Sequence, residues 1–433
     1  MGKLSIFDIS FSNMSAVFYA GTILQGQVTV ELHEPMKLRG ITLKFEGKAY
    51  VHWTESHNTA HHHGAGHHHG AGHHHGAGHH HGAGHHHGAG NNHTEHYSAT
   101  EVYFNQDSLL CGIFPSQGGN TIDLPQGRHV FPFQFLLPPG LPSSFESLYG
   151  HIRYTVKCTI DKPWKFDHTT KRPFTVISVL DLNQQPNCLA KLQGSNQKTL
   201  CCLCCKSGPI QASFHIDRTG YVPGEAIQLF AEISNGTNRK IDKSYVDLKM
   251  VTTYHATRKS KMHVQEVARV SRPGFDAHGR DQWSGEKLVI PPLPPSYLAG
   301  CRIIDIRYIL QLNVDPSGPS FDLEVPLEIL IGTIPLMSIV QQYPPMPPLP
   351  PAGYNNWNNP SAPPPETLYP TAPPMGIPNM PPPSYSECIT GKVNIREDGD
   401  NEYTGGNLEY APVYTYYNWG HTPGALPVQS GKQ

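Results

Sequence analysis

The chain has 433 residues and carries 32 Lys and Arg against 34 Asp and Glu, a formal net charge of −2. So even a balance argues against nucleic acid as a main partner, because duplex binding needs a basic face that releases counterions. Gly and Pro number 41 each, which excludes a helical protein and suits turn-rich β structure joined to a disordered segment. No apolar run approaches the roughly 18 residues that a membrane helix needs. The opening Met1-Gly2-Lys3-Leu4-Ser5-Ile6 has no apolar signal core, and Ile6 stands where a myristoylation signal wants Ser or Thr. Nine Cys, an odd number without regular spacing, do not read as a disulfide framework. The expectation is a soluble, cytoplasmic protein of two or three domains.

From the N-terminus onward, apolar residues recur with period two. Val28-Thr29-Val30-Glu31-Leu32 and Leu43-Lys44-Phe45-Glu46 alternate, as antiparallel strands with one solvated face do. Strands are expected at 41–53 and 96–104. Between them, His61–Gly90 is five copies of His-His-His-Gly-Ala-Gly. A structural metal site needs four ligands held tetrahedrally, and such a repeat fixes no geometry, so it reads as a lengthened hairpin loop without an assigned metal. Doubling a loop costs only about 0.6 kcal/mol, so the expansion is tolerable. Phe131-Pro132-Phe133-Gln134-Phe135 and Ile306-Arg307-Tyr308-Ile309-Leu310 alternate again, and Asn235-Gly236 marks a turn. Arg258-Lys259-Ser260-Lys261 is a short basic run, a solvated hairpin face or a site for anionic lipid or phosphorylated cargo.

Two features recur in the same order. Phe18-Tyr19-Ala20-Gly21 matches Tyr221-Val222-Pro223-Gly224. Pro138-Pro139-Gly140-Leu141-Pro142-Ser143-Ser144-Phe145 leads to Ile152-Arg153-Tyr154, as Pro291-Pro292-Leu293-Pro294-Pro295-Ser296-Tyr297 leads to Ile306-Arg307-Tyr308. The repeat predicts two tandem β-sandwiches of one type, at 4–180 and 208–334, joined by a Cys-rich connector at 181–207. Within the connector, Cys201-Cys202-Leu203-Cys204-Cys205 lacks the second cluster of a zinc site and the βαβ setting of a redox pair. Cys201, Cys202, Cys204 and Cys205 are candidates for lipidation, beside the plainer reading of a reduced connector. Residues 341–433 hold 20 of the 41 prolines and nine Tyr, but only Lys392, Arg396 and Lys432 as basic residues. Such a composition buries too little apolar area to offset its ordering entropy, so 335–433 is expected to be a disordered tail with polyproline II stretches.

The segment Asp217-Arg218-Thr219-Gly220-Tyr221-Val222-Pro223-Gly224-Glu225, the repeated Ile-Arg-Tyr and the tail's Pro382-Pro383-Ser384-Tyr385 together resemble the α-arrestins, the arrestin domain-containing family. The resemblance covers nearly the whole chain except the His repeat. It implies an all-β protein: two antiparallel, immunoglobulin-like sandwiches of the arrestin fold and a disordered Pro-rich tail. It also implies an adaptor that links membrane receptor or transporter cargo to WW-domain-containing HECT ubiquitin ligases, with recruitment to plasma membrane and endosomes and only peripheral membrane association.

Pro382, Pro383 and Tyr385 are the candidate WW-binding residues. A WW domain holds two prolines in an aromatic groove and the tyrosine in a neighbouring pocket. Many α-arrestins carry a second such motif. Here the stretches ending at Tyr354 and Tyr369 are too long, and the one ending at Tyr414 lacks its first proline. Pro360, Ser361, Ala362 and Pro363 spell the PSAP sequence of a candidate ESCRT-I site. No Gly-x-Ser-x-Gly, Walker, His-Glu-x-x-His or dinucleotide motif is present, so no enzyme and no cofactor is expected. The alternative is a redox- or metal-responsive regulator acting through its cysteines or His repeat.

Overall fold

The structure, a computed structural model, describes residues 3–58, 92–114, 121–200, 208–342, 384–387, 391–397 and 399–419, with backbone alone at 57–58, 92–93 and 384–387. Strands β1 (Leu4–Phe11), β2 (Val17–Tyr19), β3 (Ile23–Leu32), β4 (Met36–Leu38), β5 (Gly40–Asn58), β6 (Asn92–Gly112), β7 (Ile122–Leu124), β8 (Gly127–Leu136), β9 (Phe145–Glu146), β10 (Gly150–Asp161) and β11 (His168–Ile177) build a first sandwich. Its sheets are β1-β3-β8 and β2-β11-β10-β5-β6. A second sandwich uses β12 (Leu192–Lys198), β13 (Ile210–Ile216), β14 (Gly220–Tyr221), β15 (Ala226–Asn235), β16 (Ile241–His255), β17 (Ser260–Phe275), β18 (Arg280–Val289), β19 (Ile304–Pro316) and β20 (Leu323–Ile331). Its sheets are β12-β13-β15-β18 and β14-β20-β19-β16-β17.

The period-two pattern acts as expected. Leu43 and Phe45 are buried against the opposite sheet, while Lys44 and Glu46, which alternate with them, face outward. The recurrent sequence features mark one structural device used twice. The Tyr154 hydroxyl donates to the Pro142 carbonyl at 2.7 Å, and that of Tyr308 to the Pro294 carbonyl at 2.8 Å. Ser144 Oγ accepts from the Val176 amide, and Ser296 Oγ from the Ile331 amide, both at 2.9 Å. Each proline-rich turn is thereby fastened across the base of its own sandwich by groups that would otherwise be buried without partners. The short strands before the two glycine turns also match. β2 runs parallel to the end of β11, and β14 parallel to the end of β20, so neither sandwich is purely antiparallel.

The sandwiches touch where Tyr149 packs edge-on against Tyr254, whose hydroxyl donates to Ser147 Oγ at 2.9 Å. Lys259, within the basic run, pairs with Glu55 and lies over the Tyr97 ring, and Lys261 lies over Tyr149. Those two cations therefore join the sandwiches and do not form a free patch. The β5–β6 ladder continues out to Asn58 opposite Asn92, longer than the expected strands, with the His repeat outside the described residues.

Two expectations are corrected. Residues 181–207 are more than a connector, because β12 pairs with β13 from Leu192↔Ile216 to Lys198↔Ile210 and forms an edge of the second sandwich. As an edge strand it is held by its ladder and needs no alternating apolar face, which is why the pattern missed it. Disorder throughout 335–433 is likewise narrowed. A short helix α1 (Met337–Val340) packs Val340 into a cluster with Leu182 and Val222. Strands β21 (Ser384–Glu387), β22 (Val393–Asn394), β23 (Thr404–Gly406), β24 (Glu409–Tyr410) and β25 (Val413–Tyr416) follow, and Tyr410, Tyr414, Tyr417 and Trp419 are buried. The aromatic residues of this stretch supply the apolar area that a count of aliphatic residues understates.

Candidate functional site

Lys48 on β5, Lys157 on β10 and Lys171 on β11 lie on the outward face of one sheet, with Lys157 directly opposite Lys171 in the ladder. Like charges so placed repel. The segments 391–397 and 399–419 cross this face as a strap and answer them. Glu397 bridges Lys171 (2.9 Å) and Lys48 (2.6 Å), and Asp400 bridges Lys157 (3.0 Å) and Lys171 (3.5 Å). Lys171 and Asp400 keep only 2% and 1% of their side chains exposed, so each is a buried charge that depends on its partners. Nearby His151, driven down to about 3 by burial and by the Arg153 charge, stays neutral and adds nothing to the cluster.

Burial works against ionised Glu397, but hydrogen bonds from Lys48 and Lys171 outweigh it and hold its pKa down to about 2, from 4.5. Asp400 is lowered in the same way, burial opposed and outweighed chiefly by Lys157. A depressed carboxylate contributes stability above its free pKa and loses it as pH falls through the docked value. Strap docking is therefore expected to be constant above about pH 5 and to weaken from there towards pH 2, Glu397 accounting for roughly 1–2 kcal/mol after allowance for its partial exposure. Amide exchange at Thr404–Gly406 across that range checks this, and unchanged protection at pH 3 would contradict it.

Backbone and aromatic contacts fix the rest of the strap. β23 runs parallel to Thr169–Lys171 of β11. A Cβ at Gly406, whose φ is +99°, would meet the Lys171 carbonyl at 2.3 Å. The Tyr410 hydroxyl donates to the Phe174 carbonyl at 3.3 Å, and that of Tyr414 to the Ser144 carbonyl at 3.0 Å. Beyond β25 the strap reaches the second sandwich. There the Tyr417 hydroxyl donates to the Thr333 carbonyl (2.7 Å), and its amide donates to the Pro223 carbonyl (3.1 Å).

Gly224 receives this end. Its φ is +95°, and a Cβ there would meet the Tyr417 carbonyl at 2.0 Å. The surrounding loop is rigid: Glu225 accepts from Arg218 (3.2 Å) and from the Val222 amide (2.9 Å), and the Arg218 guanidinium lies 4.1 Å from the Tyr221 ring centre. The Asp-Arg-Thr-Gly-Tyr-Val-Pro-Gly-Glu segment thus anchors the strap on the second sandwich.

Of the sequence-predicted residues, Tyr385 is placed on β21, its backbone opposite Thr415 of β25. Pro382, Pro383, Pro360, Ser361, Ala362, Pro363, Cys201, Cys202, Cys204, Cys205 and His61–Gly90 lie outside the described residues. The described cysteines, Cys111, Cys158, Cys188 and Cys301, are unpaired, and burial pushes the thiols of Cys158, Cys188 and Cys301 up, away from reactivity. Among the described residues no group of three or more His, Cys, Asp or Glu is placed to hold a metal. The redox or metal alternative gains no support there. Sequence reasoning missed the lysine cluster and the strap. A signal existed: residues 384–411 contain no proline, and 391–419 carry five acidic against two basic residues.

Comparison with known proteins agrees with this architecture. The family model for Arrestin (or S-antigen), N-terminal domain matches residues 7–183, and that for the C-terminal domain matches 206–336. The chain belongs to the arrestin family. This arrestin-domain chain is 30% identical to Arrestin domain-containing protein 17 of Caenorhabditis elegans, over 78% of its own length and 72% of that protein. It is 31% identical to Arrestin domain-containing protein 4 of Mus musculus, over 77% and 73%. Against Arrestin domain-containing protein 1 of Homo sapiens it is 29% identical, over 90% and 74%. The α-arrestin kinship supports an arrestin-like adaptor role.

Proposed function

We propose that the protein is a non-enzymatic trafficking adaptor. It joins membrane receptors or transporters to WW-domain-containing HECT ubiquitin ligases through Pro382, Pro383 and Tyr385, and acts at plasma membrane and endosomes from the cytoplasm. The observation that carries the reading is the pairing of β21 with β25. Tyr385 lies on a strand joined to a segment that is itself anchored on both sandwiches. A ligase that draws β21 off β25 to dock at this motif would stay tethered, through the strap, beside the arrestin domains, which raises its effective concentration at cargo held by them. Affinity capture with the full chain and with a chain ending at Gln342 tests this. WW-domain ligases are expected only with the full chain and membrane cargo with both; a full chain that captures no WW-domain protein would overturn the reading.

The PSAP sequence at Pro360–Pro363 gives a second, separate docking point in the proposal. Ser361→Arg is expected to reduce ESCRT-I association while ligase capture stays intact. Parallel loss of both in the same pull-down would show that the two motifs do not act separately.

A further inference from the structure

The turn between β10 and β11 reads Lys162-Pro163-Trp164-Lys165-Phe166-Asp167. Trp164 is 101% exposed and Phe166 67%. Trp164 also has φ of +60°, the left-handed region that favours Gly or Asn and strains a large side chain. Folding alone does not account for a tryptophan that packs on nothing at a position better suited to glycine. Strain of this sort collects at functional positions. The Phe166 ring stacks on Tyr403 of the strap, with centres 5.4 Å apart, so three aromatic rings share one surface patch with Lys162, Lys165 and Arg39.

The charges of the patch divide in two. Arg39 is held by Asp161 at the base of the hairpin, Nε to Oδ2 at 2.9 Å. Asp167 accepts the Lys162 backbone amide at 3.0 Å, and Glu402 lies next to Tyr403. Lys162 and Lys165 flank the tryptophan, and neither ammonium has a carboxylate at ion-pair distance among the described residues. The β5–β10 ladder runs from Val51↔Gly150, the end facing the second sandwich, to Gly40↔Asp161. The hairpin tip therefore lies at the end of the first sandwich away from the second, with Tyr403 of the strap against Phe166.

We propose that this tip is a membrane-binding element that enters the headgroup–acyl boundary of an anionic bilayer. Trp164, an apolar ring with a polar N–H edge, occupies the interface, and the apolar Phe166 ring adds buried area beside it. Lys162 and Lys165 meet the lipid phosphates, each strengthening partition by about fivefold near an anionic surface. A fully exposed tryptophan with flanking ammonium groups matches the apolar boundary and the anionic surface of a bilayer. The inference does not rest on the ligase reading, because the hairpin lies outside the Pro-rich tail.

The test is co-sedimentation of unlipidated full-length protein with vesicles of phosphatidylcholine, with and without phosphatidylserine. Wild type is expected to partition onto the mixed vesicles and only weakly onto phosphatidylcholine alone. Trp164→Gly should lower partition by on the order of tenfold while its melting temperature holds or rises, since Gly fits the turn. Lys162→Gln with Lys165→Gln should lower it further and remove most of the salt dependence. Tyr385→Ala should leave vesicle binding unchanged, which separates this inference from the adaptor reading. Equal partition of wild type and Trp164→Gly, absence of wild-type binding, or a melting temperature that falls with Trp164→Gly would each overturn the proposal.

Discussion

Tyr385→Ala is expected to weaken binding of the full chain to isolated ligase WW domains by about 30-fold or more, from a hot-spot loss of about 2 kcal/mol. For a complex near ~10 µM this moves the affinity to several hundred µM. The tyrosine fills its own pocket on a WW surface. Of the two complete motifs of this kind in the sequence, Pro294-Pro295-Ser296-Tyr297 is tied into the second sandwich through the Pro294 carbonyl and Ser296 Oγ, which leaves Pro382-Pro383-Ser384-Tyr385 as the docking motif. Tyr385 lies outside both sandwiches, so their unfolding transition should not move. Isothermal titration of wild-type and mutant chain, with a melting curve of each, makes the measurement. Undiminished affinity would transfer the interaction to the motif at Tyr297 or to the imperfect stretches at Tyr354, Tyr369 or Tyr414, or would remove the ligase reading altogether.

The second large effect concerns the strap. Glu397→Gln with Asp400→Asn leaves Lys171, 2% exposed, without either carboxylate. Breaking a buried pair on one side costs about 3–5 kcal/mol, because a charge stays buried without compensation. Here the loss is capped by the strap's own docking energy, since detachment lets water reach the ammonium. Residues 391–419 should therefore lose amide protection while β5, β10 and β11 keep theirs. Because β21 pairs with β25, the same variant is expected to bind WW domains more tightly than wild type in the full chain. Adding Lys171→Met removes the orphan charge and should restore part of the protection. Retained protection in the double variant would show that the aromatic contacts of Tyr410, Tyr414 and Tyr417 suffice without the ion pairs.

The adaptor reading and the strap meet at Gly224. The loop that most clearly suggested a family in the sequence is also the loop that receives Tyr417. Local sequence accounts for the loop's own rigidity, through Arg218, Glu225 and the close spacing between them. What the glycine makes room for is a residue 193 positions further along, and no local pattern reveals that.

By itself, the sequence determined the all-β class and the paired sandwiches. Those properties follow from short-range regularities: side chains alternate with period two along a strand, and the Pro-rich turn and Ile-Arg-Tyr recur because Tyr154 and Tyr308 close the same hydrogen bond in each sandwich. Tertiary structure alone decided which outward-facing lysines are buried. Lys48, Lys157 and Lys171 read as ordinary solvated positions, and the carboxylate on Lys171 lies 226 residues away. Whether a surface charge is exposed or enclosed depends on what covers it, and a segment that distant becomes visible only when the chain is folded. Averaging composition over 335–433 merged a proline-rich stretch with the proline-free run 384–411, and that run is where the strap begins to form strands. The edge strand β12 was hidden for a related reason: its backbone ladder holds it in place, and a ladder leaves no mark on side-chain pattern.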